Sequence, residues 1–474
     1  MRLCVPVMRG TVRAPGAASP LEEWMKPFVF YAMLATALAG PVSAQSPGTS
    51  DGLAQIAVLL EHQPEPEPAG PALTLDEAER IALGTNPEIE VAARRLAVAK
   101  AHVPTVGGLD DPSAMYRGWG VPLQKPWDFN HAQNMFSLSQ DLPGTGKRAL
   151  RTSVAESDVD EAKANLDQVR LEIEVNVRKA FDEVLLAQDE LKFHEQHEAI
   201  ASQAIEATRI KYATGAVPQQ DLLKAQVALT GLAEHMIRFD RDAAVAKARL
   251  NVLMGRDPAA PIAVSGDHAV LAPLPSLQAL EDAALSTRPD LVAAQKAAER
   301  SHKEQSLAKR AYAPDFTVSA GYMVMPSGTD MRNDYMVEGS MTLPWLNRRK
   351  HDAEIAEATA KATEQDAELA LMRNAARGQI SEARVETQAA QQLAHMYHDE
   401  LMPQAEEALR ASVIAYANDK TAFLDLLDSQ MTVIDVDLNW IQTVGEFDAH
   451  LSDLQMAAGV PFDRLQQTTP EVKP

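Results

Sequence analysis

The chain has 474 residues, 46% hydrophobic and 23% charged, a balance that excludes a disordered polypeptide and a length that exceeds one small core. Its formal net charge of −22 repels phosphate backbones, which excludes nucleic acid as a partner class. Aromatic residues make up only 5%, and the abundance of Ala, Leu, Glu, Gln and Arg favours long helices packed through small side chains.

Residues 1–44 read as a signal peptide. Lys26 supplies a basic n-region, Phe28 to Leu38 an apolar h-region too short to span a bilayer, and Val42-Ser43-Ala44 a small-residue cleavage site. Met25 is an alternative start, and an uncleaved anchor is the competing reading. The only cysteine, Cys4, lies upstream of the cleavage point, so the processed chain is expected to carry no disulfide, no thiolate ligand and no lipid-bearing cysteine. No later apolar run is long enough for a transmembrane helix. Residues 45–72, with Pro64-Glu65-Pro66-Glu67-Pro68, form a flexible leader.

The remainder divides into two structural repeats, 73–262 and 263–460, followed by a tail at 461–474. Leu75-Asp76-Glu77-Ala78 and Asn86-Pro87 return as Leu280-Glu281-Asp282-Ala283 and Arg288-Pro289. Leu142-Pro143 with Gly146-Lys147-Arg148 returns as Leu343-Pro344 with Asn347-Arg348-Arg349. Tyr212 and Asp221-Leu222-Leu223 return as Tyr416 and Asp425-Leu426-Leu427, and Gly255 returns as Gly459. The offset stays near two hundred residues throughout, an ordered correspondence that chance similarity of Ala-rich helices does not produce.

Each repeat follows one plan. A helix, predicted over 75–102 and 276–311, precedes two strand-like runs. A very long helix follows over 147–213 and 349–417, and a tight turn leads to a return helix over 219–254 and 421–458. Unbroken, each long helix would reach about 100 Å at roughly 1.5 Å per residue. Gly378 and Pro403 are the expected bend points of the second. Leu166, Val169, Ile173, Val177, Ala180, Val184, Ala187 and Leu191 recur at spacings of three and four, as in a coiled-coil seam; an ordinary helical bundle is the alternative.

The strand runs alternate. From Phe316 to Val324 every second residue is large and apolar, and from Tyr335 to Leu343 a face of Tyr, Val, Gly, Met and Leu opposes one of Met, Glu, Ser and Thr. Ala114 to Val121 and Asn134 to Leu142 supply the counterpart runs. Such runs of near ten residues suit an outer-membrane barrel; a soluble antiparallel sheet packed on helices is the alternative. Two hairpins cannot close a membrane barrel, and open edges are not tolerated in lipid. If these strands span a bilayer, several chains must pool them in a ring, whose subunit number stays open.

The pattern resembles the outer membrane factor family, the TolC-like ducts, over about 73–460. The duplicated plan, the Asn86-Pro87 and Arg288-Pro289 openings and the Leu-Pro-to-basic strand exits carry the likeness. The tip turn Tyr212-Ala213-Thr214-Gly215 before Asp221-Leu222-Leu223-Lys224-Ala225-Gln226 is its strongest local signature. The resemblance implies a mainly α fold with a small β part. Duplicated helical hairpins form a periplasmic α-barrel, and the four strands of each chain join a shared trimeric outer-membrane β-barrel. It also implies a homotrimer set in outer-membrane lipid that docks a periplasmic adaptor protein and an inner-membrane export pump, as the passive exit duct of a tripartite efflux system.

In such ducts the helical tips narrow the periplasmic entrance. The resemblance places Asp425 and Asp428 at that constriction, one helical turn apart, where three copies would stack carboxylate rings, a cation-selective device. It places Asp221 and Tyr416 at interhelix contacts that hold the entrance closed, and Tyr212, Gly215 and Asp419 at the tip turns. The chain departs from the family pattern in having Asp419 where the other tip has Gly215. Thr421 stands at the family's locking basic position, which leaves Lys420 as the substitute cation. The stretch from Pro314-Asp315-Phe316 to Asn347-Arg348-Arg349-Lys350 looks like the heavy-metal branch.

Other candidate chemistry is weaker. His194 and His197, and His395 and His398, share a metal-compatible spacing of three, but solvent-facing helix positions are the expectation. Met323, Met325, Met331, Met336 and Met341 gather at the second hairpin, with Met115 and Met135 at the first. Thioethers suit soft Cu(I) or Ag(I), but lipid-facing or loop positions are the expectation. Leu142 to Lys147 lacks the spacing of a phosphate loop, Gly445 signals nothing catalytic, and no nucleophile–base pair or dinucleotide fingerprint is present. No catalytic residue and no cofactor is therefore expected. The rival reading of function is a secreted periplasmic coiled-coil interaction protein without a pore.

Overall fold

A computed structural model describes residues 72–460 apart from 122, 128, 216, 327–331 and 419. The signal peptide, nearly all of the leader, the C-terminal tail, Met331 and Asp419 lie outside the described residues. The first repeat runs α1 (Leu75–Thr85), α2 (Pro87–Gly107), β1 (Ser113–Trp119), β2 (Gln133–Leu142), α3 (Lys147–Ala213) and α4 (Gln219–Leu253). The second runs α5 (Leu277–Thr287), α6 (Pro289–Lys309), β3 (Phe316–Val324), β4 (Asp334–Met341) and α7 (Arg348–Met396). A π-helical turn (Tyr397–Leu401), α8 (Met402–Ala417) and α9 (Phe423–Ala458) complete it.

The opening helix expected over 75–102 is two helices, and so is its counterpart over 276–311. Proline pushes the preceding residue out of the α region while itself suiting the first position of a helix. Asn86 is accordingly extended (φ −65°, ψ 126°) before Pro87, and Arg288 (φ −62°, ψ 118°) before Pro289. The pre-proline side chains do the same work in both repeats. Asn86 Nδ2 donates to the Leu253 carbonyl (3.0 Å) and Arg288 Nη1 to the Ala457 carbonyl (3.1 Å), so each ties the start of its repeat to the end of that repeat's last helix.

The unbroken α3, 67 residues, spans about 100 Å. The matching helix of the second repeat is interrupted at the π turn, and α7 passes Gly378 without a break. The wider turn lies just ahead of Pro403, whose ring would clash with the carbonyl four residues back in a regular helix. Leu166, Ile173, Val177, Ala180, Val184 and Ala187 are buried along the seam, but Leu171, Val175, Phe181 and Leu185 are buried beside them. With two apolar rows α3 packs against α2, α4, α6 and α9, more than a two-stranded coil would require. Gly445 lets α9 approach α3 closely, since a Cβ there would lie 2.7 Å from Leu186 Cδ2.

The segment between the repeats is clasped to both. His268 Nδ1 meets Asp448 Oδ2 of α9 at 2.5 Å and its Nε2 meets Asp189 Oδ2 of α3 at 3.2 Å. Burial, then the charge of Asp448, pushes the carboxyl of nearby Asp182 up from 3.8 to about 7. Between those values the folded chain holds a proton that the unfolded chain has released, so stability falls as pH rises through the window. Asp182→Asn is therefore expected to raise the thermal midpoint at pH 8 and to leave it unchanged near pH 3, the gain being at most about 4 kcal/mol. Equal midpoints at both pH values would refute this.

The strands form one antiparallel sheet in the order β1-β2-β3-β4, the two hairpins pairing through β2 and β3. Among the described residues, strands β1 and β4 each keep one unpaired edge. At its base, Lys147 of α3 and the Gly144 N–H bind Asp315 of the other repeat (2.8 and 2.6 Å), which fixes the sheet onto the helices.

Candidate functional site

The register sorts the sheet into two chemically distinct faces. Tyr116, Phe136, Tyr322 and Tyr335 form one row across all four strands. Ring centroids are 5.2 Å apart for Tyr116–Phe136 and again for Tyr322–Tyr335. Next comes a row of Ala114, Leu138, Ala320 and Val337, and towards the helices Leu142, Phe316 and Met341. Tyr322 and Phe316 stand about 20 Å apart along β3 at roughly 3.3 Å per residue, close to the height of a membrane band bounded by aromatic girdles. Nothing among the described residues covers this face: Val337 is 81% exposed and Tyr335 87%. The opposite face carries Ser113, Ser139, Ser319 and Glu338 in one row and Asp141, Thr317 and Ser340 in another.

The register divides the methionines between the faces, with Met336 and Met341 on the faces expected of them. Met115, Met135, Met323 and Met336 share the polar face, and only Met341 joins the apolar one. The histidines divide. His395 and His398 are exposed, but His194 is 2% exposed, contrary to expectation. Burial, with His235 and His197 nearby, pushes the imidazole of His194 down to about 4, and burial also lowers that of His197. Among the described residues no group of three or more His, Cys, Asp or Glu is placed to hold a metal ion.

At the far end, the tip turns of the two repeats have matching backbones. Pro218 and Ala422 cap α4 and α9 with the same φ −74° and ψ 157°. Gly215, at φ +75°, supplies the left-handed residue of the first tip, and its N–H donates to the Tyr212 carbonyl (2.9 Å). Tyr212 is 40% exposed beside it. The equivalent aspartates part company: Asp221 is buried and Asp425 exposed. Thr421 donates to Asp425 Oδ2 (2.6 Å), so Asp425 also braces the start of α9. Asp425 and Asp428 share one exposed stripe of α9, while Phe423, Val433 and Ile434 are buried on the other side.

The two hairpins are joined by a cation the sequence reading did not single out. Lys211, near the end of α3, donates to the Tyr416 hydroxyl of α8 (2.6 Å), with Nζ 3.8 Å from that ring's centre. Tyr416 packs edge-on against Phe423. Lys420, the expected substitute, is exposed, and its backbone N–H donates to the Ala415 carbonyl (2.9 Å). Thr421 and Asp425 bond each other and leave Lys420 out.

The sequence profile described as outer membrane efflux protein matches residues 128–256 and 280–460, one block in each repeat. The chain belongs to the outer membrane efflux protein family. It is 25% identical over 386 residues, 80% of this chain and 88% of the relative, to the cobalt-zinc-cadmium resistance protein CzcC of Cupriavidus metallidurans. Its fold matches the outer membrane protein VceC of Vibrio cholerae with a TM-score of 0.69 at 18% identity, over 82% of this chain and 96% of that one. The CusC channel matches with a TM-score of 0.69 at 15% identity, over 82% and 92%. As an outer membrane efflux protein it sits in the outer membrane, reaches into the periplasm, and provides the exit duct of a tripartite efflux system.

Two residues of this efflux protein's tips escaped sequence reasoning. Lys211 was legible only as the neighbour of Tyr212, with Ala415 in its place in the other repeat. Asp435 lies on the same exposed stripe as Asp425 and Asp428, seven residues beyond Asp428, and that heptad spacing was the available signal.

Proposed function

We propose that three copies of this chain pool their sheets into one twelve-stranded outer-membrane barrel and their helical hairpins into a periplasmic tunnel. Metal cations then leave through it after an inner-membrane pump and a periplasmic adaptor deliver them. The observation that carries this is the sheet itself: an uncovered apolar face bounded by an aromatic row, with an unpaired outer edge on β1 and on β4 among the described residues. A soluble coiled-coil protein would leave Val318, Tyr322, Tyr335 and Val337 in water. Metal cations as cargo are supported by the likeness to a cobalt-zinc-cadmium resistance protein. Detergent-purified protein is expected to run as a trimer and to conduct in planar bilayers; a stable monomer without conductance would refute the reading.

At the entrance, Asp425 and Asp428, continued by Asp435, form the acidic constriction, and Lys211–Tyr416 holds the second hairpin against the first. An apolar cavity of about 200 Å³ between the hairpins, lined by Leu229, Leu232, Val413, Phe423, Leu427 and Ile434, leaves room for them to shift. A charge-assisted hydrogen bond contributes roughly 1.5–3 kcal/mol, and a ring would contain one per subunit. Lys211→Met with Tyr416→Phe is therefore expected to raise single-channel conductance about twofold or more by releasing the tips. Conductance equal to that of the parent protein would remove the latch from this account.

A further inference from the structure

The polar face of the sheet holds four methionines in rows beside others that carry Ser, Thr, Asp and Glu. Met135 on β2 stands directly opposite Met323 on β3. Met115 pairs with Ser137 while Met135 pairs with Arg117, which makes Met115 the diagonal neighbour of Met135. Met336 pairs with Gly321 while Met323 pairs with Asp334, which makes Met336 the diagonal neighbour of Met323. The four thioethers thus run in a zigzag across all four strands. Opposite Cβ atoms in such a sheet lie about 5 Å apart and diagonal positions about 7–8 Å, both within reach of flexible methionine side chains.

The floor of this zigzag is closely packed. Gly321 occupies the row between Ser137 and Met336, and a Cβ there would come within 3.0 Å of the Phe136 carbonyl oxygen and 3.1 Å of Ser137 Cβ. Ser137 beside it is 6% exposed and its hydroxyl has no hydrogen-bond partner among the described residues, and Met135 is 7% exposed. Arg117 Nη2 lies 3.8 Å from Met115 Sδ, so that sulfur already presents its lone pairs to a cationic group. Asp334 is the one carboxylate in the two methionine rows. A hard divalent ion needs several oxygen or nitrogen ligands and does not find them here, whereas neutral thioethers select soft monovalent ions.

We infer that Met115, Met135, Met323 and Met336 form a thioether site for a soft monovalent cation, Ag(I) or Cu(I), on the lumen side of the strand sheet. The lumen placement rests on the barrel reading above. The site gives the duct wall a run of neutral thioethers, flanked by Arg117 and Asp334, along which such an ion exchanges one sulfur for the next.

Full-length protein in detergent is expected to bind Ag(I) in titration calorimetry, with sulfur scattering at the silver absorption edge. The variant M115L/M135L/M323L/M336L, which conserves side-chain volume, should lose about tenfold or more in Ag(I) affinity and lose that scattering. The control M236L/M254L/M431L, on α4, at its C-terminal cap and on α9, should bind as the parent does. Trimer formation and conductance are measured on the same samples. Ag(I) binding equal in the parent and the four-site variant, with trimer and conductance intact, overturns the site alone. Displacement of Ag(I) by equimolar Zn(II) overturns its softness. A parent that neither trimerises nor conducts overturns the lumen placement together with the barrel.

Discussion

Val337→Arg is expected to remove the protein from the outer membrane, while Ser319→Arg inserts and assembles normally. Val337 lies in the row between the aromatic girdle and the helices, opposite Ala320, and is 81% exposed in the single chain. An arginine near the bilayer midplane of a barrel costs about 2–4 kcal/mol, and a trimer carries three copies, roughly 6–12 kcal/mol together. Ser319 immediately precedes Ala320 but points to the other face, opposite Glu338, where an arginine meets water and a carboxylate. Membrane fractionation and the trimer band on unheated gels would separate the two variants. Equal tolerance of both arginines would mean that the apolar face does not contact lipid.

The second large effect is expected at the entrance. Asp425→Asn with Asp428→Asn and Asp435→Asn should raise the concentration of a trivalent cation needed to block the channel by about tenfold or more at low salt. In the proposed trimer these positions would stack three carboxylates per level, and asparagine keeps an acceptor for Thr421 while removing the charge. Asp221→Asn is the useful contrast. Asp221 is 7% exposed, so its loss should disturb the first tip without changing block. A triple variant blocked as readily as the parent protein would assign the selectivity elsewhere.

Local pattern made the duplication, the full extent of α3 and the alternating strands legible, because each is written in spacing along the chain. The proline-broken openings were hidden because Ala-rich sequence on both sides of Asn86-Pro87 and Arg288-Pro289 continues the helical pattern. The π turn at Tyr397–Leu401 left no trace in periodicity either. Cross-strand register is set by pairing between distant segments, so neither the aromatic row nor the methionine zigzag could be read from one strand at a time. Asp221 and Asp425 show the same limit at the tips. They occupy one motif on one backbone, and only the packing of the surrounding helices decides which is buried.

The matched fastenings of Asn86 onto Leu253 and Arg288 onto Ala457 have a consequence for symmetry. Each half of the polypeptide buckles onto itself, so the chain is two near-equivalent staves joined by a strap. The proposed threefold ring of such chains would present a shaft with nearly sixfold rotational order, and a sleeve gripping its sides would meet six similar surfaces. At the proposed mouth, where only the second stave carries Asp425 and Asp428, the order would drop to three.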